Sequence, residues 1–372
     1  MHLIFEQFQH RLVCIEIFAG MAELVDAHDS KSCGVIHGSS ILPPGTMKTK
    51  NTAQTKILVI LGPTAVGKSD LAVELAKWIG NEKITGYTGA EIISADSRQV
   101  YKGLDIGTGK ITEREMRGIT HHLLDIADPQ ERFTALDWKQ RAEVAIKEIV
   151  ARGNLPIICG GTGFYITSLI DDLGFPEVPA NTEEQKILEM KSAEELFDEL
   201  KKLDPERAKT IDMKNKRRLS RAIIIARALG SVPKLTSTNT GRVSPYEVLQ
   251  IGINLPDSEL RSRIKARLLR RIEAPNKQGL NMVQEAELLH SPSPTGANLS
   301  YERMEELGLE YRYLAEFLQM KIDKSELIEI LSAKIWQYAK RQMTWWKKDA
   351  RIKWHAPTDA AGIENDVLEF LK

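Results

Sequence analysis

The sequence is short of cysteine, has no long apolar run and carries no net charge, and each lack removes a class of function. Among 372 residues there are three cysteines, Cys14, Cys33 and Cys159, with no CxxC spacing. That excludes a zinc module and a disulfide framework, and points to a reducing compartment, the cytoplasm. No stretch approaches the ~18–20 apolar residues of a membrane span, so the membrane is not an expected partner. Lys and Arg number 51, as do Asp and Glu. The total therefore gives no sign of a nucleic-acid partner, but the distribution does. Lys214 to Arg227, Arg261 to Arg271 and Lys334 to Lys353 are basic windows, and a phosphate backbone feels such local patches rather than the sum. A hydrophobic content of 42% suits a globular chain of about two domains.

What is present begins with Gly62-Pro63-Thr64-Ala65-Val66-Gly67-Lys68-Ser69, a match to GxxxxGK[ST]. The apolar run Lys56 to Leu61 precedes it and reads as a buried parallel strand. Leu71, Leu75 and Ile79 follow at helical spacing. Strand, loop and helix in that order place backbone N–H groups and a helix N-terminus around an anion. Lys68 would reach the terminal phosphates and Ser69 would ligate Mg²⁺. Kinase, ATPase and diphosphate-dependent transferase all remain open at this point.

Glu91 to Ser94 reads as a second strand, followed by Asp96-Ser97-Arg98-Gln99. The carboxyl ends of parallel strands face the ligand crevice, which sets Asp96 beside the phosphate loop. It would hold Mg²⁺ through water or act as a general base, and an Asp there also suits a helix N-cap. Gly103 to Lys110 is a glycine-rich loop expected to approach the ligand closely. His121 and His122 sit on a short strand pointing to opposite faces, so a shared metal is not expected. Leu155 to Cys159 is a further buried strand running into Gly160-Gly161-Thr162-Gly163, with Cys159 as core filler.

Together, GPTAVGKS, ISADSRQVYKGLDIGTGK, HHLLDI, LPIICGGTGFYI and the later AKRQMTW at Ala339–Trp345 resemble tRNA dimethylallyltransferases in order and spacing, over roughly residues 56–355. The resemblance implies dimethylallyl diphosphate as donor and N6 of the adenosine 3′ to the anticodon as acceptor. It implies catalytic roles for Thr64, Lys68, Asp96 and Arg267. It also implies tRNA contacts at Asp96, Ser97, Arg98, Gln99, Thr162, Arg217, Arg218 and Arg221. Lys68, the loop and Mg²⁺ would neutralise the departing diphosphate, and Asp96 would take the amine proton. The base must leave its stack to reach the allyl carbon. The expected partners are an anticodon stem-loop and the diphosphate, for a monomeric enzyme.

The expected fold is α/β, a P-loop NTPase-like parallel sheet flanked by helices with an α-helical insertion domain. Residues 47–177 form the first part of the core, 178–245 the tRNA-gripping insertion, and 246–372 the rest of the core with C-terminal tRNA-contacting helices. Glu183 to Lys202 and Lys214 to Leu229 read as helices of the insertion, and Arg218 and Arg221 share a face able to bracket a phosphate. Arg263, Arg267, Arg270 and Arg271 form a stripe beside Ile264, Leu268 and Ile272. Trp345, Trp346 and Trp354 are assigned to the core. Gly308-Leu309-Glu310-Tyr311 departs from the family's GYKE-like element, as does the stretch from Ala274 to Gly296.

Residues 1–46 read as a non-native or disordered leader. Five acidic residues against Arg11 and Lys31 are wrong for a mitochondrial presequence. Ala22–Ala27, Ser39–Leu42 and Thr46-Met47 can be encoded by a tRNA gene's D-arm, TΨC-arm and 3′ end, so translation is expected to start at Met47. Two other activities use part of the pattern. An adenylate isopentenyltransferase shares the loop and Asp96 but needs no anticodon-gripping surface. A P-loop small-molecule kinase leaves Asp96 to Gln99 and the AKRQMTW segment without a role.

Overall fold

The computed structural model describes residues 54–82, 86–179, 182–234, 244–292 and 297–372. The expected leader and the start at Met47 lie outside them. Six strands among the described residues form one parallel sheet: β1 (Thr55–Leu61), β2 (Gly89–Ser94), β3 (His121–His122), β4 (Asn154–Gly160), β5 (Tyr246–Ile253) and β6 (Ile352–His355). Their order is β3-β2-β4-β1-β5-β6. β1 lies between β4 and β5, with Leu58 opposite both Ile157 and Leu249. A strand covered on both faces reads as an unbroken apolar run, and Ile57 to Leu61 are fully buried.

The helix Lys68–Glu82 buries Ala72, Val73, Leu75, Ala76 and Ile79 against the sheet. Ala135–Ala151 starts at a capping box in which Thr134 and Asp137 exchange side-chain and backbone hydrogen bonds. Between β4 and β5, after the core helix Gly163–Ile170, the chain leaves the sheet for four more described helices, Thr182–Glu189, Ala193–Leu203, Pro205–Ala208 and Lys216–Leu229. They bury Leu188, Leu196, Leu200, Leu219 and Ile223 in an apolar cluster separate from the main core. The expected continuous helix over Glu183 to Lys202 is broken, because Ser192 and Glu195 form a capping box that starts a new helix. Ile187, in the first of these helices, is 60% exposed.

After β5 the chain builds the helix Asp257–Glu273 and then Met282–His290, whose Glu285 is buried. The Glu285 carboxylate accepts hydrogen bonds from the backbone N–H of Asp105 (3.1 Å), Ile106 (2.6 Å) and Gly107 (2.8 Å), and from Tyr311 Oη (2.8 Å). Burial pushes this carboxyl upward, while the N–H donors pull the other way. The glycines of this loop pack closely within the protein, and Gly109 also lines the cavity described below. A Cβ on Gly107 would lie 2.6 Å from the Tyr311 ring, and one on Gly109 2.2 Å from the Arg267 guanidinium. Lys110 is likewise internal, donating to Tyr101 O at 2.9 Å and pairing with Asp105 and Asp125.

Glu285→Ala strands three N–H groups and a phenol without an acceptor. It should lower unfolding stability by about 3 kcal/mol or more, read as a fall in the urea midpoint. Glu285→Gln keeps one acceptor and should lose less.

Candidate active site

The loops at the carboxyl end of the sheet enclose a cavity of about 270 Å³. One wall is the turn from β1 into the helix Lys68–Glu82. Gly62 (φ 144°) packs so closely that a Cβ would lie 2.4 Å from Ile253 O, which restricts the position to glycine. Gly62, Pro63 and Val66 are buried behind the wall, while Thr64, Ala65, Gly67, Lys68 and Ser69 line it. Lys68 Nζ donates to Pro63 O at 2.7 Å. Burial pulls its ammonium down to about 8, a fall limited by the neighbouring Asp96 carboxylate. Cys159 forms part of the floor, and burial pushes its thiol up to about 11, which leaves it protonated and a poor nucleophile at neutral pH.

The facing wall follows β2. Asp96 Oδ1 accepts from the N–H of Arg98 (2.8 Å) and Gln99 (3.3 Å), so the carboxylate caps the turn and lines the cavity at once. The segment Asp96 caps is a turn and not the start of a helix, so the expected helix N-cap is corrected to a turn cap. Ser97 N–H donates to Thr162 Oγ1 at 3.0 Å, and Gln99 Nε2 donates to Gly109 O at 3.4 Å. β2 and β4 approach tightly here, since a Cβ on Gly160 would lie 2.1 Å from Ala95 O.

A third wall is the helix Asp257–Glu273. It buries Leu260, Ile264, Leu268 and Ile272, and turns Arg263, Arg267 and Arg270 toward the cavity. Arg267 donates to Gly109 O at 2.9 Å. Burial, with Arg271 nearby, pulls it down to about 10, so it keeps its charge at neutral pH. Arg271 leaves the expected stripe, donating to Gly107 O at 2.6 Å and pairing with Glu310 at 3.4 Å. The departing Gly308–Tyr311 segment thus braces the loop through Glu310 and Tyr311.

Tyr338 and Gln342, on the helix Lys324–Trp346, complete the enclosure. Neither was singled out from sequence, although Gln342 lies inside the Ala339–Trp345 signature. Of the three tryptophans assigned to the core, Trp346 is buried. Trp345 and Trp354 are corrections, at 45% and 37% exposed. Trp345 lies edge-on to Phe164 at 6.3 Å and donates to Thr167 Oγ1 at 3.3 Å.

Asp96, Gln99, Lys68 and Arg267 meet at this cavity, with Ser97, Arg98 and Thr162 on its β2 side. Arg217, Arg218 and Arg221 stand on the helix Lys216–Leu229 of the second apolar cluster. Arg217 lies 3.7 Å from Glu306, and Arg218 is exposed. Arg221 is not a free member of the expected phosphate bracket, because its guanidinium donates to Val178 O (2.6 Å) and Pro179 O (3.1 Å). The cavity also offers hard oxygen donors in Ser69, Asp70, Asp96 and Glu115. No cluster of three or more His, Cys, Asp or Glu side chains forms a metal cage among the described residues. This donor set fits Mg²⁺ that takes most of its oxygens from a bound diphosphate and few from protein.

Residues 99–349 match the model of the IPP transferase family. A tRNA dimethylallyltransferase of Anoxybacillus flavithermus is 37% identical over 316 residues, 85% of this chain and 95% of the relative. One from Staphylococcus carnosus is 39% identical over 328 residues, 85% and 96% of the two chains. The solved tRNA isopentenylpyrophosphate transferase of Bacillus halodurans superposes with TM-score 0.57 at 32% identity, covering 86% of this chain and 96% of its own. A eukaryotic dimethylallyltransferase acting on tRNA superposes with TM-score 0.67 at 25% identity, covering 85% and 77%. A phosphate loop facing Asp96 and Arg267 in one cavity, and relatives matched over nearly their whole lengths, lead to one conclusion: the chain belongs to the IPP transferase family, with the tRNA dimethylallyltransferases.

Proposed function

We propose that this chain transfers a dimethylallyl group from dimethylallyl diphosphate to N6 of the adenosine 3′-adjacent to the anticodon in tRNA, releasing diphosphate. One observation carries the reading: a phosphate loop with two cations, Lys68 and Arg267, faces the Asp96 carboxylate across a single cavity. In the transfer, the allylic C–O bond breaks with its electron pair going to the diphosphate oxygen. The N6 lone pair forms the new C–N bond, and the N6 proton passes to Asp96. Backbone N–H groups of Ala65 to Lys68, the Lys68 ammonium and Arg267 offset the charge growing on the leaving group. Mg²⁺ held by Ser69 would add to that neutralisation when it arrives with the diphosphate.

Thr64 lines the donor side of the cavity and Gln99 the acceptor side. The bonded pair Ser97 and Thr162, and Arg98, stand next to Asp96 and Gln99 rather than in the lining itself. The adenosine must be extruded from its loop to enter, which costs least in a single-stranded segment. Arg217 and Arg218, on the separate helical segment, suit contacts with the tRNA backbone, and Arg221 holds that helix to the incoming chain. Such a segment has no purpose for a free adenine nucleotide, which favours tRNA over an adenylate acceptor. The tRNA named for the relatives supports the same choice. The enzyme acts as a monomer in the cytoplasm on this reading. No described helix is long and apolar enough to cross a membrane.

Incubation with dimethylallyl diphosphate, Mg²⁺ and total tRNA should yield prenylated adenosine by nucleoside mass spectrometry, with AMP in parallel giving none. Product from AMP alone would transfer the assignment to the adenylate class. Asp96→Ala should lower kcat by roughly 10²–10⁴ with little change in donor KM, because the loss falls on proton transfer. Lys68→Ala should lower kcat/KM for the donor by roughly 10²–10³, the scale of one removed electrostatic contact. A chelator should stop turnover, and added Mg²⁺ should restore it.

A further inference from the structure

The phosphate loop and the turn after β4 both end on one side chain. Gln342, 6% exposed, accepts from the Thr64 N–H through Oε1 at 2.9 Å and donates from Nε2 to Gly161 O at 2.9 Å. Both halves of the amide are satisfied, and the partners lie 278 and 181 residues away in sequence. The direct ladder between β1 and β4 ends at Leu61 opposite Gly160. Beyond that point the Gln342 amide bridges the two loops, joining Thr64 N–H to Gly161 O. The fit is close, because a Cβ on Gly161 would lie 2.2 Å from Nε2.

Two consequences follow from this geometry. The Thr64 N–H is turned to the helix Lys324–Trp346, which fixes the loop peptide and leaves the later N–H groups for the anion. Gly161 is followed by Thr162, whose Oγ1 holds Ser97 N–H next to Asp96. One amide therefore spans the wall that would hold the donor and the wall that would hold the acceptor. The helix presents Tyr338 to the same cavity one turn earlier.

We propose that Gln342 is a positioning residue for group transfer, setting the spacing between the diphosphate loop and the wall that carries Asp96. The inference rests on the transfer activity proposed above. It assigns to the helix Lys324–Trp346 a part in donor binding, in addition to any contact its exposed basic residues make with RNA.

The test uses the full chain as wild type, Gln342→Met and Gln342→Glu, with steady-state kinetics in each substrate. Met matches the size of Gln without its hydrogen bonds. Folding is checked by circular dichroism. Gln342→Met should lower kcat/KM for dimethylallyl diphosphate about tenfold, the loss expected for a pair of buried hydrogen bonds. Its KM for tRNA should stay near that of wild type. Gln342→Glu gives a distinct signature. A protonated carboxyl reproduces one acceptor and one donor, whereas the ionised form repels Gly161 O and the diphosphate. Burial raises a carboxyl's titration range, so the ratio of Gln342→Glu to wild-type activity should rise as pH falls. The Gln342→Met ratio should stay flat over the same range.

A folded Gln342→Met with wild-type kinetics, a loss confined to the KM for tRNA, or a flat Gln342→Glu ratio would overturn the proposal. If wild type transfers nothing, the activity assignment fails. Equilibrium binding of inorganic diphosphate to wild type and Gln342→Met then still decides the positioning role, with equal affinities counting against it.

Discussion

The burial of β1 on both faces is the constraint on which the site depends. Five consecutive residues, Ile57 to Leu61, are removed from water between β4 and β5. The chain must therefore turn at a fixed height above the sheet, and Gly62 makes that turn against Ile253 O. β2 and β4 end at the same level in register, Ser94 opposite Cys159, which brings Asp96 and Thr162 to the same rim. A phosphate loop without this frame would be an ordinary glycine-rich turn. With it, the backbone amides, Lys68 and Asp96 occupy opposite sides of one small volume.

The second requirement is that the rim loops keep their shape with little regular structure of their own. Buried polar groups supply it. Glu285 gathers three consecutive N–H groups of the Asp105–Gly107 turn, Lys110 closes the same loop from inside, and Arg267 and Arg271 cover it from the helix Asp257–Glu273. Each is a charged group taken out of water with several partners, the condition under which burial is tolerated. Most of these partners come from the part of the chain after β5, so the later segment completes what the earlier one begins.

The division between what was readable in the sequence and what was not follows sequence separation. The loop at Gly62–Ser69, the strand before it and the helix after it are local, and their periodicity and glycine spacing announce them. The arginine stripe is legible for the same reason, up to Arg271, whose partners are Gly107 and Glu310. The break at Ser192 was readable too, in a capping box that a count of apolar positions passes over. Gln342 and Glu285 were not readable in their roles. A lone Gln or Glu in a helix carries no local sign of a carbonyl or N–H group 180 or more residues away. Trp345 shows the reverse error, an aromatic residue whose composition suggests core while it packs partly exposed over Phe164.

The pairing of β1 with β5 and the bridge from Thr64 to Gln342 bear on how the protein is made. During synthesis the phosphate loop leaves the ribosome early, at about 5–20 residues per second, yet Leu61 at its base pairs with Gly252 of β5 and its amide partner Gln342 lies 278 residues after Thr64. Contacts so distant in sequence form slowly, since the intervening chain must be closed first. A nascent or prematurely terminated chain thus carries the phosphate-loop sequence without the geometry that gives it purpose. The polymer's own order of emergence withholds a finished catalyst until nearly the last helix is in place.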